Sequence, residues 1–320
     1  MKQQLGFFIL LCLLCTGILL LPYKKEQADL SMEEETYIDD TIRLKVLRGD
    51  MVETMTLSQY LAGVVSGELT EEFPIEAKKA QAVAARTFAL RQREENKHTQ
   101  GDVCTDSSCC QAWSPVSYET AVQAVRETDG LVLVYGEELI EATYFSCSGG
   151  RTESASAVWG NEVPYLQAVD SPGEEDAPRY REEIELSGES FAARLQTLYP
   201  EFSPGGETYE WFGNITYTHG NGIDTVELCG IPVKGTELRK LFGLRSTNIR
   251  FSVTDEVITI STLGYGHRVG LSQYGARAMA LEGVPFHRIL SYYYQNTKIK
   301  RLSLVGRGVI FVQNQTVANN

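Results

Sequence analysis

Residues 63–90, GVVSGELTEEFPIEAKKAQAVAARTFAL, are the stretch that most constrains how this chain can fold. Pro74 interrupts the stretch, and residues 76–90 are rich in alanine at helical spacing, which predicts a helix. One stripe of that helix carries Ala77, Ala80, Ala84 and Phe88. Because most of these side chains are small, another backbone can approach the helix closely. Residues 63–66, before the proline, are interpreted as a tight helix end or turn.

Glu68 stands in this stretch beside Gly67, among small and apolar neighbours. A carboxyl group in a dry setting has its charged form disfavoured, so its pKa rises and it can hold a proton, as a general acid must. Glu68 is therefore a candidate general acid, and a solvated loop carboxylate is the alternative. Arg86 lies near the end of the predicted helix, on a turn from which it could reach back over the loop.

The N-terminal residues 5–22 form a nearly continuous apolar run behind Lys2. A bilayer takes roughly 20 apolar residues, so the run is long enough to span one. No small-x-small cleavage pattern follows the run, as a secretory signal requires. We therefore predict an uncleaved single-pass membrane anchor in residues 1–23, with a cleaved signal peptide as the alternative. A short N-terminus before a long remainder favours a location outside the cytoplasm for the bulk of the chain.

An acidic linker in residues 24–40 follows the anchor and carries part of the formal net charge of −13. This charge argues against nucleic acid as a partner. The seven cysteines are too few and too unevenly placed for a disulfide scaffold.

The rest of the chain mixes helices with short strands and shows no regular βαβ alternation, which predicts the α+β class. Thr56 with Gln59 resembles a capping box, which would start a short helix leading to Glu68. Residues 131–135 and 139–145 predict a β-hairpin, because they flank a glycine. The second strand would run directly into a serine- and glycine-rich turn.

Domain organisation follows from these elements. We predict one domain over residues 41–303, in which about 170–260 could form a second lobe. Residues 170–178 are acidic and contain proline and glycine, which indicates a surface loop. Residues 304–320 end in a polar sequence and are predicted to be a loose tail.

Four potential metal ligands lie within 13 positions of a polar loop: His98, Cys104, Cys109 and Cys110. Zinc takes four such nitrogen and sulfur ligands in a tetrahedron. Outside the cytoplasm, a disulfide from Cys104 to Cys109 or Cys110 is an equal alternative. The four residues could also be unrelated loop residues.

Residues 264–275, GYGHRVGLSQYG, form a glycine-rich segment with hydrogen-bonding and aromatic side chains. Sugars bind flat aromatic rings and forked donors, so His267, Gln273 and Tyr274 are candidate members of a polyol-binding wall. The segment lacks the order strand, G-x-G-x-x-G and helix, which disfavours a phosphate-binding loop. His267 taken alone could instead be a structural residue that hydrogen-bonds a turn.

The motifs GVVSGEL, FPIEAKKAQAVAARTFAL, YFSCSGG, VWGNEVPYLQAVDSP and GYGHRVGLSQYGARAMA occur in this order along residues 41–303. Together they resemble the family of stage II sporulation protein D, which includes the amidase-enhancer domains of cell-wall proteins. The resemblance implies a lytic transglycosylase that cuts between N-acetylmuramic acid and N-acetylglucosamine and leaves a 1,6-anhydro sugar without using water. It implies helices and strands around a glycan-binding groove.

The resemblance also implies roles for individual residues. The family's catalytic glutamate falls on Glu68 and its motif arginine on Arg86, which would orient Glu68 or bind a sugar carboxyl. The turn after the predicted strand would line the cleft, and this segment contributes Ser146, Ser148 and Gly149, followed by Gly150. Tyr180 and Arg181 are weaker candidates for the same wall. Relatives commonly carry a histidine before the turn, where this chain has Phe145.

In some clostridial relatives the loop after the alanine-rich helix carries zinc through histidine and cysteine. The matching positions here are His98, Cys104, Cys109 and Cys110. The resemblance therefore favours zinc over the disulfide, in a structural role with four protein ligands and no open position.

Three other chemistries stay open. A hydrolase would need a second carboxylate at a set distance from Glu68, and Glu71 and Glu72 are close in sequence. A Cys147 and His267 pair would suit a thiol hydrolase, although no orienting Asn or Asp is identifiable. A metal-dependent hydrolase is a further possibility if zinc keeps a free position.

The resemblance finally implies a biological setting. The substrate would be peptidoglycan glycan strands stripped of stem peptides, and the partners stage II sporulation proteins P and M. The protein would lie in the mother-cell membrane, with its catalytic domain facing the intermembrane space during engulfment of the forespore. A non-catalytic, glycan-binding enhancer of an amidase is the alternative from another functional class.

Overall fold

The computed structural model describes residues 37–305 and 308–312. The predicted anchor, residues 24–36 of the acidic linker and the last eight residues of the tail lie outside the described residues. Within the described ranges, no helix combines the length and the apolar character needed to cross a membrane.

The described part of the chain contains nine α-helices. They are α1 (Ile38–Thr41), α2 (Leu57–Glu68), α3 (Ile75–Glu94), α4 (Glu119–Glu127), α5 (Ala155–Trp159), α6 (Gly188–Gln196), α7 (Gly235–Phe242), α8 (Gln273–Leu281) and α9 (Phe286–Tyr293). The same residues also contain one 3₁₀ turn, Thr208–Trp211.

The strands of the described residues are mostly short. They are β1 (Arg43–Arg48), β2 (Met51–Thr56), β3 (Val103–Cys104), β4 (Leu131–Tyr135), β5 (Glu138–Leu139), β6 (Tyr144–Phe145), β7 (Gly150–Arg151), β8 (Asp170–Ser171), β9 (Arg181–Ser187), β10 (Phe212–Tyr217), β11 (Ile223–Leu228), β12 (Ile231–Lys234), β13 (Asn248–Thr254), β14 (Val257–Leu263), β15 (Leu271–Ser272), β16 (Lys298–Val305) and β17 (Gly308–Val312).

These strands form several small sheets instead of one large one. The larger sheets have the orders β2-β1-β3, β17-β16-β4-β5, β13-β14-β9 and β10-β11-β12, and the pairs β15-β6 and β7-β8 stand beside them. Most pairings are antiparallel, whereas β1 with β3 and β15 with β6 are parallel. Helices and strands are mixed without a repeating βαβ unit, so the predicted α+β class is confirmed.

The alanine-rich helix α3 is the centre of the main core. Its alanines divide between two hydrophobic clusters: Ala77, Ala80 and Ala84 belong to one, and Ala82, Ala85 and Ala89 to the other. A helix that is buried on all sides needs small side chains wherever neighbouring elements approach. The predicted helix is therefore confirmed, with longer bounds than its pattern indicated.

The segment from β9 to β14 has a hydrophobic core of its own. Its members include Phe191 of α6, Leu238 of α7 and Ile260 of β14, all fully buried. Two three-stranded sheets enclose this cluster. The segment corresponds to most of the region for which the sequence suggested a second lobe.

Two predicted boundaries were wrong. The expected hairpin partner of β4 shortens to β5, and residues 144–145 pair in parallel with β15 instead, with Tyr144 opposite Leu271. The predicted tail begins inside a hairpin, because β16 and β17 pair across residues 301–312. The parallel pairing of β6 and β15 brings Tyr144 beside the glycine-rich segment.

Candidate functional site

Helix α2 carries Glu68 as its last residue. A capping box starts the helix: the Thr56 hydroxyl accepts from the Gln59 amide at 3.1 Å, and the Gln59 side chain accepts from the Thr56 amide at 2.9 Å. The chain turns extended at Leu69, directly after the helix. The predicted capping box and short helix are confirmed, and together they fix the position of the Glu68 backbone.

Gly63 and Gly67 lie inside α2, one turn apart, although the sequence suggested a helix end or turn at residues 63–66. A Cβ at Gly63 would meet Trp113 Nε1 at 2.2 Å, and one at Gly67 would meet the Trp113 amide nitrogen at 2.8 Å. The glycines therefore clear one face of the helix for residues 112–113. The predicted helix end or turn at residues 63–66 was wrong, because the glycines serve a contact from about 50 residues further along the chain and do not mark a turn.

Because residues 112–113 lie close to α2, a backbone amide of this segment reaches the side chain of Glu68. The Ala112 amide donates to Glu68 Oε1 at 2.7 Å, and Gln273 Nε2 donates to Glu68 Oε2 at 3.0 Å. Glu68 is half-buried. Burial raises the pKa of Glu68, and the hydrogen bonds from Ala112 and Gln273 oppose that rise only in part. The carboxyl group is thus biased towards holding a proton.

A chain of hydrogen bonds sets the direction of the Tyr144 hydroxyl. Tyr144 donates to Gln111 Oε1 at 2.7 Å, Gln111 Nε2 donates to the Tyr60 hydroxyl at 3.2 Å, and Tyr60 faces the Cys104 carbonyl at 3.4 Å. A tyrosine hydroxyl has one proton to donate. Because Gln111 lies at the shorter distance, Tyr144 directs its proton mainly to Gln111 and makes only a long contact, 3.5 Å, with Glu68 Oε1. The hydroxyl therefore does little to stabilise a charged Glu68, and burial still raises the pKa of Glu68.

Glu68 opens into a cavity of about 220 Å³. Its lining consists of Glu68, Phe88, Ser107, Cys110, Thr143, Tyr144, Phe145, Gly266 and His267. Among these described residues, Glu68 is the one carboxylate. The cavity therefore places a single acid among aromatic and small side chains.

His267 forms an aromatic wall of the cavity. Its Nδ1 accepts from the Val269 amide at 3.1 Å, and its ring packs 5.6 Å from Phe145 and 5.5 Å from Trp159. Burial lowers the pKa of His267 to about 4, and the positive charge of Arg239 adds to the decrease. The ring is therefore neutral near pH 7, with its proton on Nε2. Phe145 supports this ring at the position where relatives were expected to carry histidine.

The turn after β6 does not present its polar groups to a ligand, as the sequence suggested. Glu174 Oε2 accepts from the Ser148 amide at 2.6 Å, from the Ser148 hydroxyl at 2.8 Å and from the Gly149 amide at 3.0 Å. Ser148 is fully buried, and Ser146 is half-buried with its carbonyl bonded to the Tyr274 amide. The donors of Ser148 and Gly149, which the sequence assigned to the substrate, are already used by a buried carboxylate.

Sequence reasoning missed Glu174 because it lies in the predicted acidic surface loop. The side chain is fully buried, and its Oε1 accepts from the hydroxyls of Ser171 and Ser272. Ser272 also caps helix α8, the helix that begins with Gln273. One signal was available: a turn rich in hydroxyl and amide donors needs an acceptor somewhere in the fold.

Arg86 is also placed differently from its prediction. It is fully buried, its Nη2 lies 2.6 Å from Asp39 Oδ2, and its Nη1 donates to the Leu131 carbonyl at 3.0 Å. A guanidinium without exposed surface cannot bind a sugar carboxyl, and the hydrogen bonds described for it do not reach Glu68. Arg86 instead joins α3 to α1 and β4.

The remaining candidates for the polyol-binding wall differ in their distance from Glu68. Gln273 contacts Glu68 directly, whereas Tyr274 packs edge-on against Phe73, with ring centroids 5.2 Å apart. Tyr180 is half-buried and its carbonyl accepts from the Gly264 amide, while Arg181 is exposed at the start of β9. Neither tyrosine lines the Glu68 cavity.

The position of Cys147 does not support its role as a nucleophile. The positions of Glu71 and Glu72 do not support a role as second carboxylate. Cys147 is fully buried, and burial raises the pKa of its thiol to about 12, so it stays protonated at neutral pH. Glu71 and Glu72 are exposed and do not line the cavity.

The four potential metal ligands come together. The ligand atoms of His98, Cys104, Cys109 and Cys110 all lie within 4.8 Å of one another, and His98 Nε2 is 3.2 Å from Cys110 Sγ and 3.8 Å from Cys109 Sγ. Zinc binds sulfur at about 2.3 Å and nitrogen at about 2.0 Å, so tetrahedral ligands lie roughly 3.5–3.8 Å apart. The cluster fits zinc, and its three cysteines are free thiols in this structure.

The cluster directly precedes the residues that hold the acid. Cys109 and Cys110 are followed by Gln111, which takes the Tyr144 proton, and by Ala112, whose amide binds Glu68. A metal bound to the cluster would therefore fasten the loop that positions Glu68.

Comparison with known proteins agrees with this arrangement of motifs. The sequence profile of the family described as "Stage II sporulation protein" matches residues 48–135. Stage II sporulation protein D of Bacillus subtilis (strain 168) is 34% identical over 339 aligned residues, which cover 93% of this chain and 96% of that protein. The protein of the same name from Bacillus amyloliquefaciens is 34% identical over 83% of this chain and 81% of its own length.

A third relative has a different name. The Amidase enhancer of Bacillus subtilis (strain 168) is 28% identical over 75% of this chain and 40% of its own length. The Bacillus subtilis stage II protein, in contrast, aligns along almost all of both chains. On that similarity the chain belongs to the stage II sporulation protein D family, a family of sporulation proteins.

Proposed function

We propose that this protein is a lytic transglycosylase that cleaves peptidoglycan glycan strands between N-acetylmuramic acid and N-acetylglucosamine. The observation that carries the proposal is the lone carboxyl of Glu68, whose pKa is raised by burial in a cavity lined by aromatic side chains. A general acid needs such a group in its protonated form near the working pH.

The chemistry requires one carboxyl used twice. Protonated Glu68 gives its proton to the glycosidic oxygen as the bond from C1 to that oxygen breaks. The resulting carboxylate then takes the proton of the C6 hydroxyl as this oxygen attacks C1. The product is a 1,6-anhydro sugar, and the carboxyl ends protonated as it began. Gln273 and the Ala112 amide hold the two oxygens of Glu68 in place during both steps.

A water-using hydrolase is less well supported. Retaining glycosidases place two carboxyls about 5–5.5 Å apart, and inverting ones about 6.5–9.5 Å apart. The neighbouring acids Glu71 and Glu72 are exposed and lie outside the cavity lining. Intramolecular attack by the C6 hydroxyl removes the need for a second acid.

Product analysis tests the proposal. The purified protein is incubated with glycan strands stripped of stem peptides, and the products are identified by mass spectrometry. We expect anhydro-disaccharides, which are absent with Glu68→Gln and present with the control Glu71→Gln. Products with a reducing end in place of the anhydro ring would show hydrolysis and contradict the proposal.

A second candidate is a non-catalytic, glycan-binding enhancer of a cell-wall amidase. The similarity to the Amidase enhancer of Bacillus subtilis favours it. Binding to glycan strands without any cleavage product, together with faster turnover by an added amidase, would support the enhancer. Under that outcome Glu68→Gln would leave the stimulation unchanged.

We further propose a structural zinc held by His98, Cys104, Cys109 and Cys110, whose ligand atoms lie within 4.8 Å of one another. With four protein ligands, the metal would have no open position and would supply loop rigidity instead of Lewis acidity. Elemental analysis of the full-length protein should give one zinc per chain. Absence of zinc together with a disulfide at Cys104 would reject the site, and a zinc that exchanges a bound water would favour a metal-dependent hydrolase.

The setting is also a proposal. Residues 1–23 would anchor the protein in the mother-cell membrane, with the catalytic domain facing the intermembrane space, where it would act on peptidoglycan with stage II sporulation proteins P and M during engulfment. Membership of a sporulation family supports this setting. Cell fractionation with and without residues 1–23 and co-purification of the two proteins test it. A soluble full-length protein without these partners would contradict it.

A further inference from the structure

Trp159 is an exposed aromatic residue beside the Glu68 cavity. Its side chain is 44% exposed, although tryptophan is highly buried on average. The ring lies 5.5 Å from the His267 ring, which lines the cavity, whereas Trp159 itself lies outside the lining. The indole is therefore one ring further from Glu68 than His267.

Local structure holds this ring in place while leaving it uncovered. Trp159 is the last residue of α5, which Ser154 caps by accepting from the Ala157 amide. Ala155 is buried, and its amide donates to the Leu166 carbonyl at 3.0 Å, which fastens the helix to the fold. Gly160 follows with a φ of 83°, so the chain leaves the helix immediately after the tryptophan. The exposure of Trp159 thus comes from an anchored helix.

The cavity volume shows why a further surface is needed. Small-molecule sites usually enclose roughly 300–1,000 Å³, whereas the cavity at Glu68 has about 220 Å³. Cleavage of a bond between two sugars requires a hold on the ring at each side of the bond. A cavity of this size suits one ring, so the other must rest on a surface that continues from the cavity.

The aromatic row provides that surface. Phe145, His267 and Trp159 contact one another in sequence from the cavity to solvent. The neutral His267 has its Nδ1 bonded to the Val269 amide, so it contributes a flat, uncharged face. An aromatic face of this kind can bury the apolar C–H face of a pyranose while the ring hydroxyls stay hydrated.

We propose that Trp159 is the platform of a sugar subsite that adjoins the Glu68 cavity and takes an N-acetylated pyranose ring of the glycan strand. The inference rests on the proposed action on glycan strands. Trp159 lies in the motif VWGNEVPYLQAVDSP, to which the sequence assigned no role in the site.

Binding is measured without turnover in the Glu68→Gln background, with chitotetraose as the probe. We expect Trp159→Ala to weaken binding roughly tenfold, as the loss of an aromatic contact does, and Trp159→Phe to weaken it about threefold or less. Tyr209→Ala is the matched control. Tyr209 is 62% exposed and lies in the 3₁₀ turn Thr208–Trp211, outside the lining of the Glu68 cavity, so this variant should bind chitotetraose as tightly as the parent.

Fluorescence provides a second readout. The chain has three tryptophans, and Trp159 is the exposed one, since Trp113 is partly buried and Trp211 is 8% exposed. Chitotetraose should shift the emission to shorter wavelength, and Trp159→Phe should abolish the shift. Equal thermal unfolding midpoints for the variants would show that the exposed substitution leaves the fold intact.

Unchanged affinity for Trp159→Ala, or an emission shift that persists in Trp159→Phe, would overturn the subsite. This failure is distinct from failure of the proposed function. If the protein binds chitotetraose through Trp159 but releases no anhydro product, the subsite stands and the transglycosylase is rejected. If anhydro products form equally well with Trp159→Ala, the enzyme stands and the subsite is rejected.

Discussion

Glu68 and Glu174 are two carboxylates withdrawn from bulk water, and their surroundings differ in the supply of donors. Glu174 is fully buried and receives five hydrogen bonds, three at Oε2 and two at Oε1. Glu68 receives two short ones and a long contact of 3.5 Å from Tyr144, whose hydroxyl lies closer to Gln111. A carboxylate saturated with donors is stabilised as an anion and ties segments together. One with few donors keeps a tendency to hold a proton.

The two regions are also connected. Ser272 donates to Glu174 and caps α8, and the next residue, Gln273, donates to Glu68. Glu174, which is saturated with donors, therefore supports the segment that holds Glu68. We expect different effects at the two positions. Substitution of Glu68 should lower the cleavage rate, and substitution of Glu174 should lower the free energy of unfolding.

The largest effect is expected at Glu68. Glu68→Gln keeps the size of the side chain but cannot deliver a proton, so the cleavage rate should fall by roughly 10²–10⁴, the usual contribution of a general acid. The thermal unfolding midpoint should not decrease. Release of anhydro products is measured by chromatography, with Glu71→Gln as the control. If Glu68→Gln kept its activity, Glu68 would not be the general acid, and its contrast with Glu174 would be lost.

The next effect is expected at Glu174. Glu174→Ala leaves the amides of Ser148 and Gly149 and three hydroxyl groups without their acceptor, and the free energy of unfolding should fall by about 4–5 kcal/mol. Urea denaturation measures the change. Glu175→Ala, at an exposed neighbouring position, should change stability by less than about 0.5 kcal/mol. If the two substitutions had equal effects, the hydrogen bonds of Glu174 would not stabilise the fold.

Arg86 belongs to the structural side of the comparison. Arg86→Ala leaves the Asp39 carboxylate buried without its partner and should lower the free energy of unfolding by about 3–4 kcal/mol. The cleavage rate per folded molecule should stay within about threefold of the parent, because Arg86 does not line the cavity. Arg93→Ala, an exposed arginine on the same helix, is the control. A large loss of rate at full stability would restore the catalytic role suggested by the motif.

The smallest effect concerns pH. Since cleavage needs protonated Glu68, the rate should fall as pH rises through the pKa of Glu68, which burial places above its ordinary value of 4.5. Gln111→Leu removes the nearer acceptor, so Tyr144 can donate its proton to Glu68. That hydrogen bond stabilises the charged form and lowers the pKa of Glu68, so the decrease in cleavage rate should occur at lower pH. Zinc content is compared in both proteins, because Gln111 follows Cys110. A pH profile that does not move would contradict the assigned direction of the hydrogen-bond chain.

The same shift has a consequence for stability. The folded protein holds the Glu68 proton more tightly than the unfolded chain, so the free energy of unfolding should decrease as pH rises from about 4.5 through the folded pKa. Glu68→Gln has no proton to lose and should lack this decrease. Denaturation curves measured across that range distinguish the two proteins.

Local features were predicted well. The alanine-rich helix and the capping box of Thr56 and Gln59 appear close to their expected positions. Each depends on contacts within a few residues, which a periodic pattern records directly. Glu68 was singled out for the same reason, since its small and apolar neighbours in sequence are also its neighbours on the helix.

Contacts between residues far apart in the chain could not be predicted from local patterns. Arg86 is paired with Asp39, 47 residues away, and Ser148 with Glu174, 26 residues away. Gly63 lies inside a helix, where only glycine leaves room for Trp113. No local pattern reports such contacts, so each polar residue was read as free for a substrate when the fold had already used it.

The sequence by itself determined the alanine-rich helix, and it singled out Glu68 as the candidate acid and four side chains as candidate metal ligands, because residue type and short-range spacing are enough for these inferences. The tertiary structure decided which polar groups remain available. It saturated Glu174, buried Arg86 and left Glu68 with few donors beside an aromatic row that ends in Trp159. The physical reason is that the state of a buried charge depends on every group that packs around it, and most of those groups come from elsewhere in the chain.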